Sequence, residues 1–349
     1  MRATQLASSH LEPGTYDSYG RHWRRFSNYC SLRGVSALPA STATVVKYVA
    51  WLSAPGNSNL QPSSLQPLLS AINKAHTDIG LAGPAEGELL SAVRRGWALQ
   101  SSNTGHQRDE RAALPARVAS AALDRLLQAR HLDDGMGSRF TAPGRRLYFR
   151  RQRSLLYTSF GFALMARVDT DLHLLRNDVD LTPTTLFVRL RKEKGRATDP
   201  IRRRLQMPRD AVAGLAEAIT LWKQLQLASF QLERKTLPEE VSFWKLGDDT
   251  WTERSSSASV CDPWLQEACA QLGESPPQGD SWTTHSLRIG AASAANAIDV
   301  NLLKIKAHGG WKITSSVVLS YIRTVLADSA CHRFFGWMLN AGLQRPQSR

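Results

Sequence analysis

Residues 284–323 read THSLRIGAASAANAIDVNLLKIKAHGGWKITSSVVLSYIR, and the rest of the chain can be interpreted outward from them. His285 and Arg288 stand three residues apart, hence on one face, at the start of a small-residue run with helical spacing. A Gly309-Gly310-Trp311 turn follows, and then Tyr321 with Ile322 and Arg323 behind it. Taken singly, each has an ordinary explanation: a packed tyrosine, a capping and salt-bridging His–Arg pair, a tryptophan plugging a core. Their joint order suits phosphodiester chemistry. A tyrosine hydroxyl can hold a phosphate covalently, a guanidinium meets non-bridging oxygens bidentately, and an imidazole can manage a proton near neutral pH.

The partner class is set by charge. Over 349 residues the formal net charge is +14, which points to a polyanion, nucleic acid before an anionic membrane. Hydrophobic residues at 42% and charged residues at 21% fit a folded chain, and the length predicts two domains. No apolar run approaches the roughly 20 residues of a membrane span. The start, MRATQLASSHLEPG, lacks the apolar core of a secretory leader. Cys30, Cys261, Cys269 and Cys331 have no CxxC spacing, so neither a zinc site nor a disulfide framework is expected. The expected compartment is reducing, cytoplasmic or nuclear, with no membrane and no small-molecule substrate as partner.

Residues 1–104 read as a bundle of four or five helices. Tyr16, Tyr19, Trp23, Phe26 and Tyr29 recur at helical steps in the first, and core packing is their expected role. Ser41 or Thr42 caps a second helix that stops at Pro55-Gly56, a third closes at Gly80, and a fourth starts at Pro84. Arg24, Arg25, Lys47, Lys74, Arg94 and Arg95 form either a solvated face or a set of phosphate contacts, and in so basic a chain the second is favoured. Residues 105–116 are polar and short of large apolar side chains, a linker that would let two domains close on a duplex.

Residues 117–349 make the second domain. A helix is expected from Pro115, then a loop through HLDDGMGSRFTAPGRRLYFRRQ, then a nearly all-apolar helix over 154–166 ending at Arg167. An arginine there is costly unless an anion or a carboxylate, Asp169 or Asp171, meets it. Alternation over 186–190 and a return strand IRRRLQM predict a small sheet of two or three strands around a basic turn carrying Lys192 and Lys194. Further helices are expected over 209–235 and in CDPWLQEACAQLG, with 236–259 irregular. The apolar tail Phe334, Phe335, Trp337, Met338, Leu339 would fold onto its own domain or dock on a neighbouring subunit.

HSLRIGAASAANAIDV followed by AHGGWKITSSVVLSYIR resembles the H-x-x-R box, His/Trp position and nucleophile of the tyrosine recombinases, the phage-type integrases, and most closely their Cre-like members. GFALMARVDTDLHLLRNDVDL is similar to the family's first-arginine box, with Arg167 at the arginine and Asp178 at a usual aspartate. LFVRLRKEKGRA resembles the hairpin that carries a catalytic lysine. The resemblance implies a mainly α chain: an N-terminal helical, SAM-like core-binding domain and a C-terminal mixed α+β catalytic domain with a small β-sheet.

It further implies a site-specific recombinase that breaks and rejoins double-stranded DNA through a 3′-phosphotyrosyl intermediate, without metal or ATP. A homotetramer would act on two sites, with the apolar tail as a candidate subunit contact. Tyr321 would attack, Arg167 and Arg288 would hold the non-bridging oxygens, and His285 would assist proton handling. Trp311 would fill the His/Trp position, and Lys194, with Lys192 as runner-up, would protonate the leaving oxygen. Thr170 stands where the family has an acid three residues after the first arginine. Trp311 lies ten residues before Tyr321, one more than usual, and His308 competes for its place. The rival expectations are a silent DNA-binding relative and a topoisomerase-like relaxing enzyme.

Overall fold

Apolar side chains at three- and four-residue steps drive the first hundred residues into helices α1 (Pro13–Leu32), α2 (Thr42–Ser53), α3 (Leu65–Thr77) and α4 (Glu88–Asn103). The computed structural model describes residues 13–58, 60–103, 112–128, 141–191, 203–252, 255, 257–277 and 281–340. By contacts the chain divides into two units, Met1–Arg108 and Asp109–Arg349.

In the first unit the Ser41 hydroxyl accepts the Thr44 N–H at 3.2 Å, which caps α2. A 3₁₀ turn, Pro62–Ser64, leads into α3. The fourth helix begins at Glu88, four residues later than its sequence suggested. Phe26 and Tyr29 pack in the core with Tyr48, whereas Tyr16 is 58% exposed, so the aromatic stripe is core only from its middle onward. His76 is buried: its Nδ1 donates to the Ile72 carbonyl and its Nε2 accepts the Ala40 N–H, both at 2.8 Å. That arrangement fixes the neutral tautomer.

The second unit starts inside the segment expected as linker. Leu114 is buried and its N–H donates to the Ser286 carbonyl at 3.0 Å, so residues 112–115 are part of this unit's core. Helix α5 (Ala116–Gln128) follows, and then α6 (Ala142–Leu164). Residues 142–152 are therefore the first turns of α6, where the sequence suggested a loop. Thr141 accepts the Gly144 N–H to start it, and a proline at the first turn costs nothing there. The arginines that looked loop-like line its outer face, where Arg146 pairs with Glu233 at 2.6 Å and Arg150 with Asp248 at 2.6 Å.

Met165 ends α6 in the left-handed region, φ 52°, and α7 (Val168–Leu172) begins after Arg167. Strands β1 (Val179–Leu181), β2 (Thr185–Leu190) and β3 (Arg203–Pro208) form an antiparallel sheet in the order β1-β2-β3, with Val188 opposite both Val179 and Leu205. Helices α8 (Ala213–Leu232) and α9 (Ser257–Leu272) complete the outer part. The irregular stretch between them is not a surface loop, since Phe243, Trp244 and Leu246 are fully buried.

Helix α10 (Thr284–Ala297) runs through the middle of the unit, and its small residues admit close neighbours. A Cβ on Gly290 would lie 2.0 Å from the Leu114 carbonyl oxygen. Backbone cannot yield as a side-chain tip can, so Gly290→Ala is expected to cost about 3 kcal/mol. Chemical denaturation of the two proteins checks this; equal midpoints would contradict the packing. After α10 come α11 (Leu302–Gly309), a 3₁₀ turn at Val317–Ser320, α12 (Ser329–Phe335) and α13 (Trp337–Asn340). Of the two expectations for the apolar tail, the first holds for the described residues: Phe334, Phe335 and Met338 are buried in the core of their own unit, with Phe334 against Phe162.

Candidate active site

The turn between α6 and α7 and the start of α10 bring two arginines into one electrostatic neighbourhood. Arg167 is half-buried at the N-cap of α7 with extended backbone, φ −81° and ψ 147°. Arg288 is 2% exposed and its Nη1 donates to the Met165 carbonyl at 2.6 Å. The left-handed turn at Met165, two residues before Arg167, thus anchors Arg288. Burial pushes the Arg288 guanidinium down to about 9, and Arg167 and Arg203 push the same way, while Tyr321 and Asp171 oppose. At neutral pH it remains a cation.

Two rings lie against that guanidinium, and a third packs on one of them. The guanidinium lies 3.7 Å from the Trp311 ring centre and 5.4 Å from that of Tyr321. Trp311 meets Tyr321 edge-on at 5.2 Å, and His285 approaches Tyr321 from another side at 4.9 Å. Gly309 and Gly310 make this possible. Gly310 adopts φ 72°, and any Cβ on Gly309 would strike the Trp311 ring. Lys306 steadies the turn, its carbonyl accepting the Trp311 N–H at 2.9 Å and its ammonium donating to the Ile313 carbonyl at 2.8 Å.

Between Trp311 and His308, the geometry selects the tryptophan as the neighbour of Tyr321. His308 turns the other way: its Nε2 donates to the Ala163 carbonyl at 2.8 Å and its ring packs on Phe335 and Trp337. Burial holds it down to about 4, so it is neutral.

The donors left over define the site. Arg288 Nε and Nη2 and Trp311 Nε1 are buried and have no hydrogen-bond partner among the described residues. Three such donors beside a tyrosine ring are expensive to keep dry unless an anion meets them.

The structure thus gathers His285, Arg288, Trp311 and Tyr321, and sets Arg167 near enough to act on Arg288. Lys192 and Lys194 lie outside the described residues. The strands flanking them are anchored: Arg191 Nε donates to the buried Asp178 carboxylate at 2.6 Å, and Arg203 Nη1 donates to the His308 carbonyl at the end of α11. Among the proposed DNA contacts, Arg24, Lys47 and Arg95 are exposed, whereas Arg25 and Arg94 are half-buried. Lys74 forms an ion pair with Asp78, which competes with a phosphate role.

Asp171, which the sequence offers only as one of two carboxylates that could meet Arg167, is enclosed here under the pull of Arg288 and Arg203 instead. Thr170 holds the place expected for an acid, but the next residue supplies a fully enclosed carboxylate, 2% exposed, whose Oδ1 has no hydrogen-bond partner among the described residues. Burial pushes it up to about 8, against the pull of Arg288 and Arg203. The available signal was the acid one position late in Asp169-Thr170-Asp171, where a five-residue helix buries Thr170 and Asp171 alike.

A carboxyl whose folded value exceeds its ordinary 3.8 holds its proton more tightly when folded. Its contribution to stability is therefore complete below pH ~4 and is lost as pH rises to about 8. His308 has the opposite sign: its contribution is present above 6.5 and lost as pH falls through about 4. Between about pH 6.5 and about pH 8 the Asp171 effect is isolated, and stability should fall by on the order of 1–2 kcal/mol. Asp171→Asn should flatten that slope in thermal unfolding; an unchanged slope would remove Asp171 from this role.

A buried arginine and an indole flank a tyrosine, with a histidine one turn before the arginine, an arrangement that resembles the motif order of the tyrosine recombinases. The chain is 24% identical over 346 residues, 96% of its own length and 89% of the relative's, to a protein described as an integrase/recombinase xerD homolog from Selenomonas ruminantium. With the motif order, that full-length likeness makes the chain similar to the tyrosine recombinases. Among solved structures it is similar to a XerA recombinase at TM-score 0.39 and 14% identity, covering 95% of this chain and 94% of that one. A lambda integrase(75–356) dimer bound to a COC′ core site is similar at TM-score 0.32 and 15% identity, covering 78% and 88%. No protein-family model matches the sequence.

Proposed function

We propose that the protein is a site-specific DNA recombinase that breaks and rejoins duplex DNA through a 3′-phosphotyrosyl intermediate on Tyr321. The single observation that carries this reading is the set of buried, unpartnered donors on Arg288 and Trp311 against the Tyr321 ring. A phosphodiester is the anion those donors suit, because the charge on its non-bridging oxygens grows as a nucleophile adds.

The Tyr321 oxygen attacks phosphorus, the bond from phosphorus to the 5′ oxygen breaks, and the phosphate passes to the tyrosine. Arg288 and Arg167 hold the non-bridging oxygens, and Trp311 Nε1 donates to one of them. His285 takes the tyrosine proton, and Lys194 or Lys192 gives a proton to the departing 5′ oxygen. The ester energy stays in the phosphotyrosine, so rejoining to another 5′ hydroxyl needs neither ATP nor a metal ion. Arg24, Lys47 and Arg95, with the half-buried Arg25 and Arg94, contact DNA phosphates, and a homotetramer on two sites exchanges strands.

The test is trapping on a nicked suicide duplex cut from the DNA that flanks the coding sequence. The 5′ fragment diffuses away after cleavage, so an active protein accumulates as a protein–DNA adduct stable to denaturant. Failure to form one on any flanking duplex, with binding intact, would favour a silent DNA-binding protein. Relaxation of arbitrary supercoiled plasmid would favour a topoisomerase.

A further inference from the structure

Helix α10 is lined on its buried side by Gly290, Ala291, Ala292, Ala294 and Ala295, and one hydroxyl interrupts that run. Ser293 is 0% exposed. A hydroxyl so deep is costly without partners, and alanine would fill the space equally well. Its Oγ donates to the Ile289 carbonyl one turn back at 2.8 Å. Committing the proton there leaves lone pairs facing the neighbouring segment, and Oγ accepts the Arg323 N–H at 2.8 Å while lying 3.3 Å from the Tyr321 carbonyl oxygen.

That segment needs such a tether. From Ile322 to Asp328 the chain adopts neither helix nor strand, and Tyr321 follows a single 3₁₀ turn. Its ties within the segment are local, the Tyr321 N–H to the Val318 carbonyl at 2.9 Å and Arg323 Nη1 to the Ser320 carbonyl at 2.7 Å. Those bonds shape the turn, the Tyr321 ring packs on His285 and Trp311, Val318 is buried, and the bond to Ser293 ties the backbone itself to α10. Ser293 sits on the helix that carries His285 and Arg288.

We infer that Ser293 is a positioning residue: its hydroxyl registers the Tyr321–Arg323 backbone against α10 and so holds the tyrosine in line with the phosphate bound by Arg288. The inference rests on the reading of Tyr321 as nucleophile. Displacement of a nucleophile by about 1 Å can cost about 100-fold in rate. Ser293→Ala should therefore slow single-turnover adduct formation by roughly 10- to 100-fold while DNA affinity stays within about twofold. Ser293→Thr, which keeps the oxygen, should recover part of the rate.

The experiment runs full-length wild type, Ser293→Ala and Ser293→Thr on the same nicked duplex, with binding by anisotropy and amide exchange at Arg323. Slow cleavage in Ser293→Ala, normal binding, faster exchange at Arg323 and partial recovery in Ser293→Thr is the expected result. Equal adduct rates in wild type and Ser293→Ala would overturn the inference and leave the nucleophile untouched. Parallel loss of cleavage, binding and thermal stability, without recovery by threonine, would overturn it in favour of plain packing. Should Ser293→Ala not fold, the wild-type exchange pattern decides: an Arg323 amide as labile as that of Thr324 means no tether exists. No adduct from wild type would instead count against the Tyr321 reading itself.

Discussion

Tyr321→Phe is expected to bind DNA as the wild type does and to form no covalent adduct, a loss of roughly 10⁴-fold or more in cleavage. The substitution removes one oxygen and keeps the ring. It therefore preserves the contacts to His285 at 4.9 Å, Trp311 at 5.2 Å and the Arg288 guanidinium at 5.4 Å. The side chain is half-buried, so losing the hydroxyl leaves no sealed polar gap. Fold and affinity should persist, and thermal unfolding together with anisotropy on the same duplex checks both. Residual adduct from the phenylalanine variant would mean that another residue attacks.

Arg288→Ala should be the second most damaging change, lowering cleavage by about 10²–10³-fold, as expected on removing a preorganised donor from a developing oxyanion. It should also destabilise the fold. Met165 would lose the guanidinium that closes the α6 turn, and the Trp311 ring would lose the cation 3.7 Å from its centre. Arg288→Lys separates the two effects. A lysine keeps charge, yet its point-like ammonium cannot present two parallel donors to a phosphate. Stability should recover more than cleavage does, and single-turnover rates beside denaturation midpoints measure the difference.

The core of the site was legible because the residues are close in sequence as well as in space. His285 and Arg288 share a turn of α10, and the glycine pair announces the bend that returns Trp311 toward Tyr321. Arg167 was legible through its setting, a lone cation at the end of an apolar run. Asp171 was legible only as a candidate partner of Arg167, because its enclosure under the pull of Arg288 and Arg203 depends on segments far along the chain. The start of α6 was misjudged for a related reason. Its arginines look solvated until Glu233 and Asp248, far along the chain, arrive to pair with them. Leu114, set within a polar stretch, reads as linker until the missing side chain of Gly290 is seen to admit its backbone. Each miss involves a partner distant in sequence.

The central claim is chemical, that Tyr321 becomes esterified to the 3′ phosphate of the broken strand. Digestion of the trapped adduct and tandem mass spectrometry of the nucleotide-bearing peptide test it directly, with end-labelled DNA giving the polarity. The account predicts one modified peptide, a phosphate bridging Tyr321 to a 3′ carbon, and a free 5′ hydroxyl on the released fragment. Attachment at another residue, or through a 5′ phosphate, would contradict it.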